Sequence, residues 1–429
     1  MKMGSAEMFQ GASFLPFARH LANNRYLRAV RHSFFAILPF LLAVSLIDVI
    51  VGLIFSPFGP IFGEKGLNLG FIITGLTGEE YLQHWAVSLM VQCRRMIDLG
   101  YGMLSIVFTM SLSRRLAEIW GADTLMTSLC ALAAFLFFIP VDTALESDIS
   151  QYTMGRRFLP AFVVAIVASR IYAWVSSRSF SKHEALPFLP KNLARFFNAG
   201  IPVTITFVIL TVLSLLFGAT VSSVVDFIKE NVPLSIYQHP IFAFSYQGLV
   251  SLLWWFGFPG YGFTSTIQEI AYYPAQLSNQ VGDTSYIFTS GFFNAGTLHI
   301  LGLIIAILVF SNHKKWRRVA FVSIPCAFFN IQDPLMFCLP VILNPVFFIP
   351  YISAPIANIA LGYVAILWGI VPAFSESVPW TMPVILSGII GTDSFMGGAL
   401  EVVWLITDIF IYAPFVITAN MLEFGEDES

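Results

Sequence analysis

Residues Asn330 to Pro350 read N-I-Q-D-P-L-M-F-C-L-P-V-I-L-N-P-V-F-F-I-P, a stretch apolar enough for a bilayer yet interrupted by Pro334, Pro340, Pro345 and Pro350. That many prolines exclude one continuous spanning helix, because each removes a backbone donor and crowds the preceding turn. Gln332 and Asp333 stand immediately ahead of Pro334, and a residue before proline is biased away from helical angles. The pattern predicts a non-helical tip at Asn330 to Pro340. Such backbone is tolerated at membrane depth only where it is buried in protein or lines a watery cavity.

The rest of the chain agrees with a membrane setting. Its 429 residues are 57% hydrophobic, 15% aromatic and only 11% charged, against roughly 25% charge in an ordinary soluble domain. Mean hydropathy is +0.78. Lys and Arg number 22 against 25 Asp and Glu, a net charge of −3, which leaves no basic excess for a nucleic-acid backbone and excludes that partner class. The chain lacks GxSxG, HExxH, a Walker loop and a glycine-rich dinucleotide turn. No catalytic residue, cofactor or metal is therefore expected. Cys93, Cys130, Cys326 and Cys338 lie in apolar stretches without CxxC spacing or nearby histidines, so they read as small hydrophobes rather than as a disulfide or zinc framework.

The expected fold is an all-α integral membrane protein. Residues 1–33 form an imperfectly amphipathic segment with Lys2, Arg19, Arg25, Arg28 and Arg31, and the first apolar run, Phe34 to Phe55, is 22 residues long. At about 1.5 Å per residue it crosses roughly 30 Å of hydrocarbon, and no cleavable signal peptide precedes it. Further apolar stretches are predicted at about Trp85 to Met110, Thr124 to Pro140, Phe158 to Val175, Ile201 to Ala219, Ile241 to Phe256, Ala295 to Phe310, Val346 to Ile370 and Leu400 to Ala419. Shorter stretches broken by Gly and Pro, at Gly257 to Phe263, Ile324 to Pro345 and Pro379 to Gly391, suit re-entrant or interfacial segments.

Basic residues set the orientation, because cytoplasmic loops are enriched in Lys and Arg. Arg114 and Arg115, then Arg178, Lys182, Lys191 and Arg195, then Lys314, Lys315, Arg317 and Arg318 mark inside loops, whereas Asp142, Glu146 and Asp148 mark an outside one. The N-terminus is thereby cytoplasmic. Arg156 and Arg157 run against the pattern, and beyond Arg318 there is no Lys or Arg at all. Arg94, Arg95 and Asp98 fall inside an apolar run and must pair or reach water, as a structural ion pair, a break between two helices, or part of a substrate path.

Ionisable groups at membrane depth are functional candidates, here Asp333, His299, Glu376 and Asp393. A carboxylate at a cavity-lining tip accepts hydrogen bonds from sugar hydroxyls, and the faces of Trp254, Trp255 and Trp380 suit the apolar face of a pyranose ring. A capped hairpin turn with an ordinary aromatic belt is the competing reading.

The order Q-D-P-L-M-F-C-L-P-V-I-L-N-P-V-F-F-I-P, with V-P-W-T-M-P at Val378 to Pro383 after it and L-L-W-W-F-G-F-P-G at Leu252 to Gly260 before it, resembles the sugar-translocating enzyme IIC of the bacterial phosphotransferase system, lactose/cellobiose type. The opening L-A-N-N-R-Y-L-R-A-V-R-H-S-F-F-A-I-L-P from Leu21 to Pro39 is similar to that family too. The resemblance implies about ten transmembrane helices plus two re-entrant hairpins in the bacterial inner membrane. It implies a homodimer built through residues 34–230 and a sugar site in residues 231–420, walled by Trp254, Trp380, Gln332 and Asp333. It also implies that a partner enzyme IIB, recharged by IIA, phosphorylates the sugar while the permease moves it by alternating access.

The departures from that family bear on function. Where it shows W-x-F-G-I-H-G, this chain has Pro259 for the histidine that helps hold the sugar, and proline can neither donate nor titrate. Where it shows asparagine then glutamate before proline, this chain has Gln332 and Asp333, moving each functional group by about 1.5 Å. His299 is a candidate substitute for the lost imidazole, with a satisfied core histidine as the alternative. The lost histidine also admits a rival function, a non-transporting membrane sugar sensor coupled to a cytoplasmic signalling domain. The acidic stretch 421–429 reads as a solvated tail or as the start of a linker to such a domain.

Overall fold

The computed structural model describes residues 24–51, 61, 68–76, 80, 83–137, 158–178, 191–282, 285–296, 299–339, 341–376, 378 and 382–421. Among these the regular structure is entirely helical, as a bilayer demands of a chain that must satisfy its backbone hydrogen bonds within each segment. Seven helical stretches are long and apolar enough to cross a membrane: Arg25–Asp48, Val87–Trp120, Phe158–Arg178, Gly200–Phe217, Ser290–Phe310, Pro345–Leu367 and Phe395–Asn420. Thr124–Phe137 is apolar but shorter. The acidic tail beyond Met421 lies outside the described residues.

Three boundaries differ from the sequence reading, each for a charge-related reason. The first helix starts at Arg25, ahead of the apolar run, because long basic side chains at a helix end keep their charges in the interface. The helix beginning at Trp85 runs unbroken to Trp120, so Arg114 and Arg115 close a helix rather than occupy a loop. Lys314, Lys315, Arg317 and Arg318 likewise open the helix Lys314–Phe328. No break occurs at Arg94. Its guanidinium donates to Asp48 at 2.9 Å, a carboxylate that is only 4% exposed, a structural ion pair.

The described residues fall into two compact units. One comprises Asn23–Leu41 and Arg95–Asn231. Within it, Phe34 stacks on Phe108 with ring centroids 4.2 Å apart, and Ala161, Ala165 and Ala168 are fully buried. Their spacing puts three small residues on one helix face, which allows the close helix approach that dispersion forces in lipid require. The other unit comprises Leu42–Arg94 and the chain from Val232 onward. Its hub is the helix Phe395–Met421, packed against His299–Phe310, Pro345–Leu367 and Leu386–Thr392. Small residues set these crossings too, for a Cβ added at Gly302 would sit 2.4 Å from the Asp408 Cβ.

Candidate functional site

In the second unit three short elements converge on a cleft lined by Gly291, Asn294, Ala295, Asn330, Phe374, Val378, Met382 and Ser387. The helix Ser290–Ala295 is started by Thr289, whose hydroxyl accepts from the Phe292 N–H at 3.2 Å. Asn330 turns the chain with φ 60°, a left-handed conformation that asparagine tolerates better than most residues. The Ile331 N–H closes that turn on the Cys326 carbonyl at 2.8 Å.

The third element, described at residues 374–376, 378 and 382–391, is tethered at several points. Ser375 and Glu376 both donate backbone N–H groups to the Gly391 carbonyl, at 2.9 and 3.1 Å, and Val384 donates to the Phe328 carbonyl at 3.0 Å. Gln276 is 1% exposed and bridges two walls of the cleft. Its Oε1 accepts from Gly291 N–H at 3.0 Å, while its Nε2 donates to the Phe374 and Glu376 carbonyls at 3.3 and 3.2 Å. Asn279 adds a bond from its Nδ2 to the Phe374 carbonyl at 3.0 Å.

The chemistry of the cleft follows from its lining. Two amides and a hydroxyl offer donors and acceptors, one aromatic ring and a thioether offer apolar contact, and none of the eight lining side chains is charged. The lining is chemically suited to hydroxyl groups and an apolar face rather than to an ion, but its open volume of about 10 Å³ holds about one water, so a sugar enters only if the walls part. Among the described residues no group of three or more His, Cys, Asp or Glu is placed to hold a metal ion.

The residues singled out from sequence are placed as follows. Gln332 lies two positions after Asn330, with its Oε1 accepting from the Tyr351 hydroxyl at 3.4 Å. Asp333 heads the short helix Asp333–Cys338 instead of forming an extended tip. Pro334 falls in the first turn of that helix, where its missing N–H leaves no intrahelical bond unmade. His299 is buried, its ring edge-on to Tyr351 at 5.0 Å and stacked on Tyr412 at 6.4 Å. Through Tyr351 it is thus joined to Gln332. Trp254 is half-buried with an indole N–H that meets no acceptor among the described residues. It lies against Gly260, where an added Cβ would fall 2.8 Å from its Cδ1, and so beside Pro259, which starts the one-turn helix Gly260–Phe263. Trp255 is instead locked in the core, its indole donating to the Asn344 carbonyl at 3.1 Å. Trp380 lies outside the described residues. Asp393 takes φ 49° at the end of the helix Leu386–Thr392, a C-terminal cap.

Sequence reading passed over two carboxyl groups, Glu401 and Asp408, both with zero exposure. Asp408 accepts from the Asn358 amide at 3.1 Å, and the same amide nitrogen reaches the Gly296 carbonyl at 3.3 Å. Glu401 accepts from the Ser387 hydroxyl at 2.7 Å and from the Ile385 N–H. The available signal was their spacing: seven positions apart in an apolar run, they share one helix face.

The family model described as phosphotransferase system, EIIC matches residues 31–355. The oligo-beta-mannoside-specific EIIC component of Bacillus subtilis (strain 168) is 24% identical over 457 aligned residues, covering 98% of this chain and 96% of the relative. The lactose-specific EIICB component of Staphylococcus epidermidis is 24% identical, covering 94% of this chain and 68% of that longer protein. Among solved structures, the transporter ChbC, the IIC component of the N,N'-diacetylchitobiose-specific system, has the same fold, with a TM-score of 0.56 over 96% of this chain and 97% of its own at 21% identity. The family match runs from the first helix into Pro345–Leu367 and takes in the Asn330 turn, so this multi-pass membrane protein belongs to the EIIC sugar-permease family of the phosphotransferase system.

Proposed function

We propose that this chain carries a β-linked disaccharide or related glycoside across the bacterial inner membrane by alternating access, and hands it to a phosphorylated enzyme IIB for phosphorylation. The EIIC family match over residues 31–355 is the observation that carries this reading, and the uncharged lining at Asn294, Asn330 and Ser387 is in keeping with it. Sugars are recognised by such neutral donors and acceptors together with an apolar face. The relatives named for oligo-beta-mannoside and lactose, and the structural relative named for N,N'-diacetylchitobiose, support the ligand class. Gln332 and Asp333 follow the Asn330 turn directly in sequence, and their amide and carboxylate are the groups this reading assigns to hydroxyl recognition. Trp254 and Trp380 supply stacking faces.

In this mechanism the permease performs no covalent chemistry. It binds, orients and exposes the sugar, while IIA and IIB, separate proteins or fused domains as in the relative named EIICB, supply the phosphoryl group. The unit of Asn23–Leu41 and Arg95–Asn231 contributes most of a homodimer contact, and the unit containing the cleft moves the ligand, with the N-terminus cytoplasmic. Midplane transporters use related rigid-body motions.

The test is an equilibrium titration of the purified protein in nanodiscs with cellobiose, lactose and N,N'-diacetylchitobiose, and with gluconate and glucosamine as charged controls. Saturable binding of at least one neutral disaccharide, weakened by Asn330→Ala, is expected. Binding of the charged controls alone would overturn the reading.

A further inference from the structure

The segment 374–391 carries four of the eight residues that line the cleft, and its far end departs from regular backbone. Ile385 sits at φ 76°, a region that β-branched residues seldom occupy. Such a conformation persists only where the surroundings over-determine it. Here the surroundings are the carboxyl group of Glu401, reached from the next helix. One oxygen accepts the Ile385 N–H and the other accepts the Ser387 hydroxyl at 2.7 Å. Both donors are neutral, and the carboxyl group is fully buried. The two helices could hardly come closer: a Cβ added at Gly388 would lie 2.4 Å from the Gly397 carbonyl oxygen and 3.0 Å from the Glu401 carboxyl carbon. A buried carboxyl group in an apolar helix is costly unless its hydrogen bonds are satisfied, and a Leu would fill the volume without that cost. Its use must lie in what it holds.

We propose that Glu401 is a positioning residue for sugar recognition, fixing Ile385, Ser387 and Gly388 so that Ser387 and Met382 present the correct wall to the ligand. This rests on the reading of the cleft as the sugar site. Glu401 does not touch the ligand. It acts through the segment, whose other end is held by Gln276 and Gly391.

The experiment uses the full chain in nanodiscs and compares wild type with Glu401→Gln, Glu401→Asp and Gly302→Ala. Gln keeps the length but replaces one acceptor with a donor that opposes a donor. Asp keeps both acceptors on a shorter stem and serves where the Gln variant does not fold. Gly302→Ala strains the same helix near Asp408, away from the segment, and controls for general destabilisation. Amide hydrogen exchange over 382–392, the thermal midpoint, and the Kd for cellobiose, lactose and N,N'-diacetylchitobiose are measured. Glu401→Gln is expected to speed exchange in 382–392 and to raise Kd by about tenfold each, the range of one buried hydrogen bond lost with its partner left unpaired. Glu401→Asp is expected to change both in the same direction by less. Gly302→Ala is expected to lower the midpoint with neither effect. Unchanged exchange in 382–392, or a Kd shift no larger than that of Gly302→Ala at an equal loss of midpoint, would overturn the proposal. If wild type binds none of the three sugars, the cleft reading falls and the recognition role falls with it, while the exchange data still decide whether Glu401 holds the segment.

Discussion

Replacing Gln276 by Leu should loosen two walls of the cleft at once. The side chain makes three hydrogen bonds, to Gly291 N–H at 3.0 Å and to the Phe374 and Glu376 carbonyls at 3.3 and 3.2 Å. Each is worth about 1 kcal/mol net, so their sum is about 3 kcal/mol. Leucine has nearly the same volume and regains part of this through apolar contact, roughly 1 kcal/mol, leaving a net loss of about 2 kcal/mol. If the freed backbone must be re-ordered when sugar binds, the same quantity enters the binding equilibrium, where about 1.4 kcal/mol is a factor of ten. The expected Kd increase is therefore roughly ten- to thirtyfold, accompanied by a lower thermal midpoint. Gln276→Glu separates the causes, for it still accepts from Gly291 but cannot donate to the carbonyls. Calorimetric titration of disaccharide into wild type and both variants gives the numbers. A Kd unchanged in Gln276→Leu, with the midpoint lowered, would show that the geometry of Gly291 and Phe374 is irrelevant to the ligand and refute the reasoning.

Other consequences follow from the same geometry. Asp333→Asn should weaken sugar binding while leaving the chain folded, because an ionised acceptor makes hydrogen bonds worth about 1.5–3 kcal/mol each; unchanged affinity with a lowered midpoint would make Asp333 only the head of its helix. Gly302→Val should cost at least about 1–3 kcal/mol of stability, since its Cβ would fall 2.4 Å from that of Asp408; an unaltered thermal midpoint would contradict the helix crossing. Pro259→His should raise phosphotransfer-coupled uptake by restoring a donor, an acceptor and a titratable ring near Trp254; equal uptake rates would show that His299 or another group already serves. Cross-linking in mild detergent should trap a dimer through residues of Arg95–Asn231, and a monomer at every concentration would exclude it.

How much of this was legible beforehand depends on the range of the interaction. The apolar runs announced the helices because lipid imposes composition directly on each span, and Pro334 and Pro345 marked the short element between them. The helix limits at Arg25 and Trp120 were less legible, since basic side chains at a helix end look in sequence like loop residues. Pairings across the fold left no local trace. Arg94 reads beside Asp98, four positions on, but nothing local announces its pairing with Asp48 from another helix. Gln276 and Asn279 lie in a stretch without any motif and acquire meaning only when residues 374–376 fold against them. Glu401 and Asp408 were visible as acids in an apolar run, but their partners Ser387 and Asn358 come from elements whose contact spacing alone does not reveal.

The central claim is translocation of a neutral disaccharide coupled to an external phosphoryl donor. Its most direct test is accumulation of radiolabelled disaccharide in proteoliposomes containing only this chain, with phosphoenolpyruvate, the general phosphotransfer proteins and matched IIA and IIB supplied on the cytoplasmic side. Sugar phosphate is expected on that side, formed at a rate that falls to background when IIB is omitted. Saturable sugar binding with no transfer of label in the presence of every partner would contradict it, and would identify the cleft as that of a sensor.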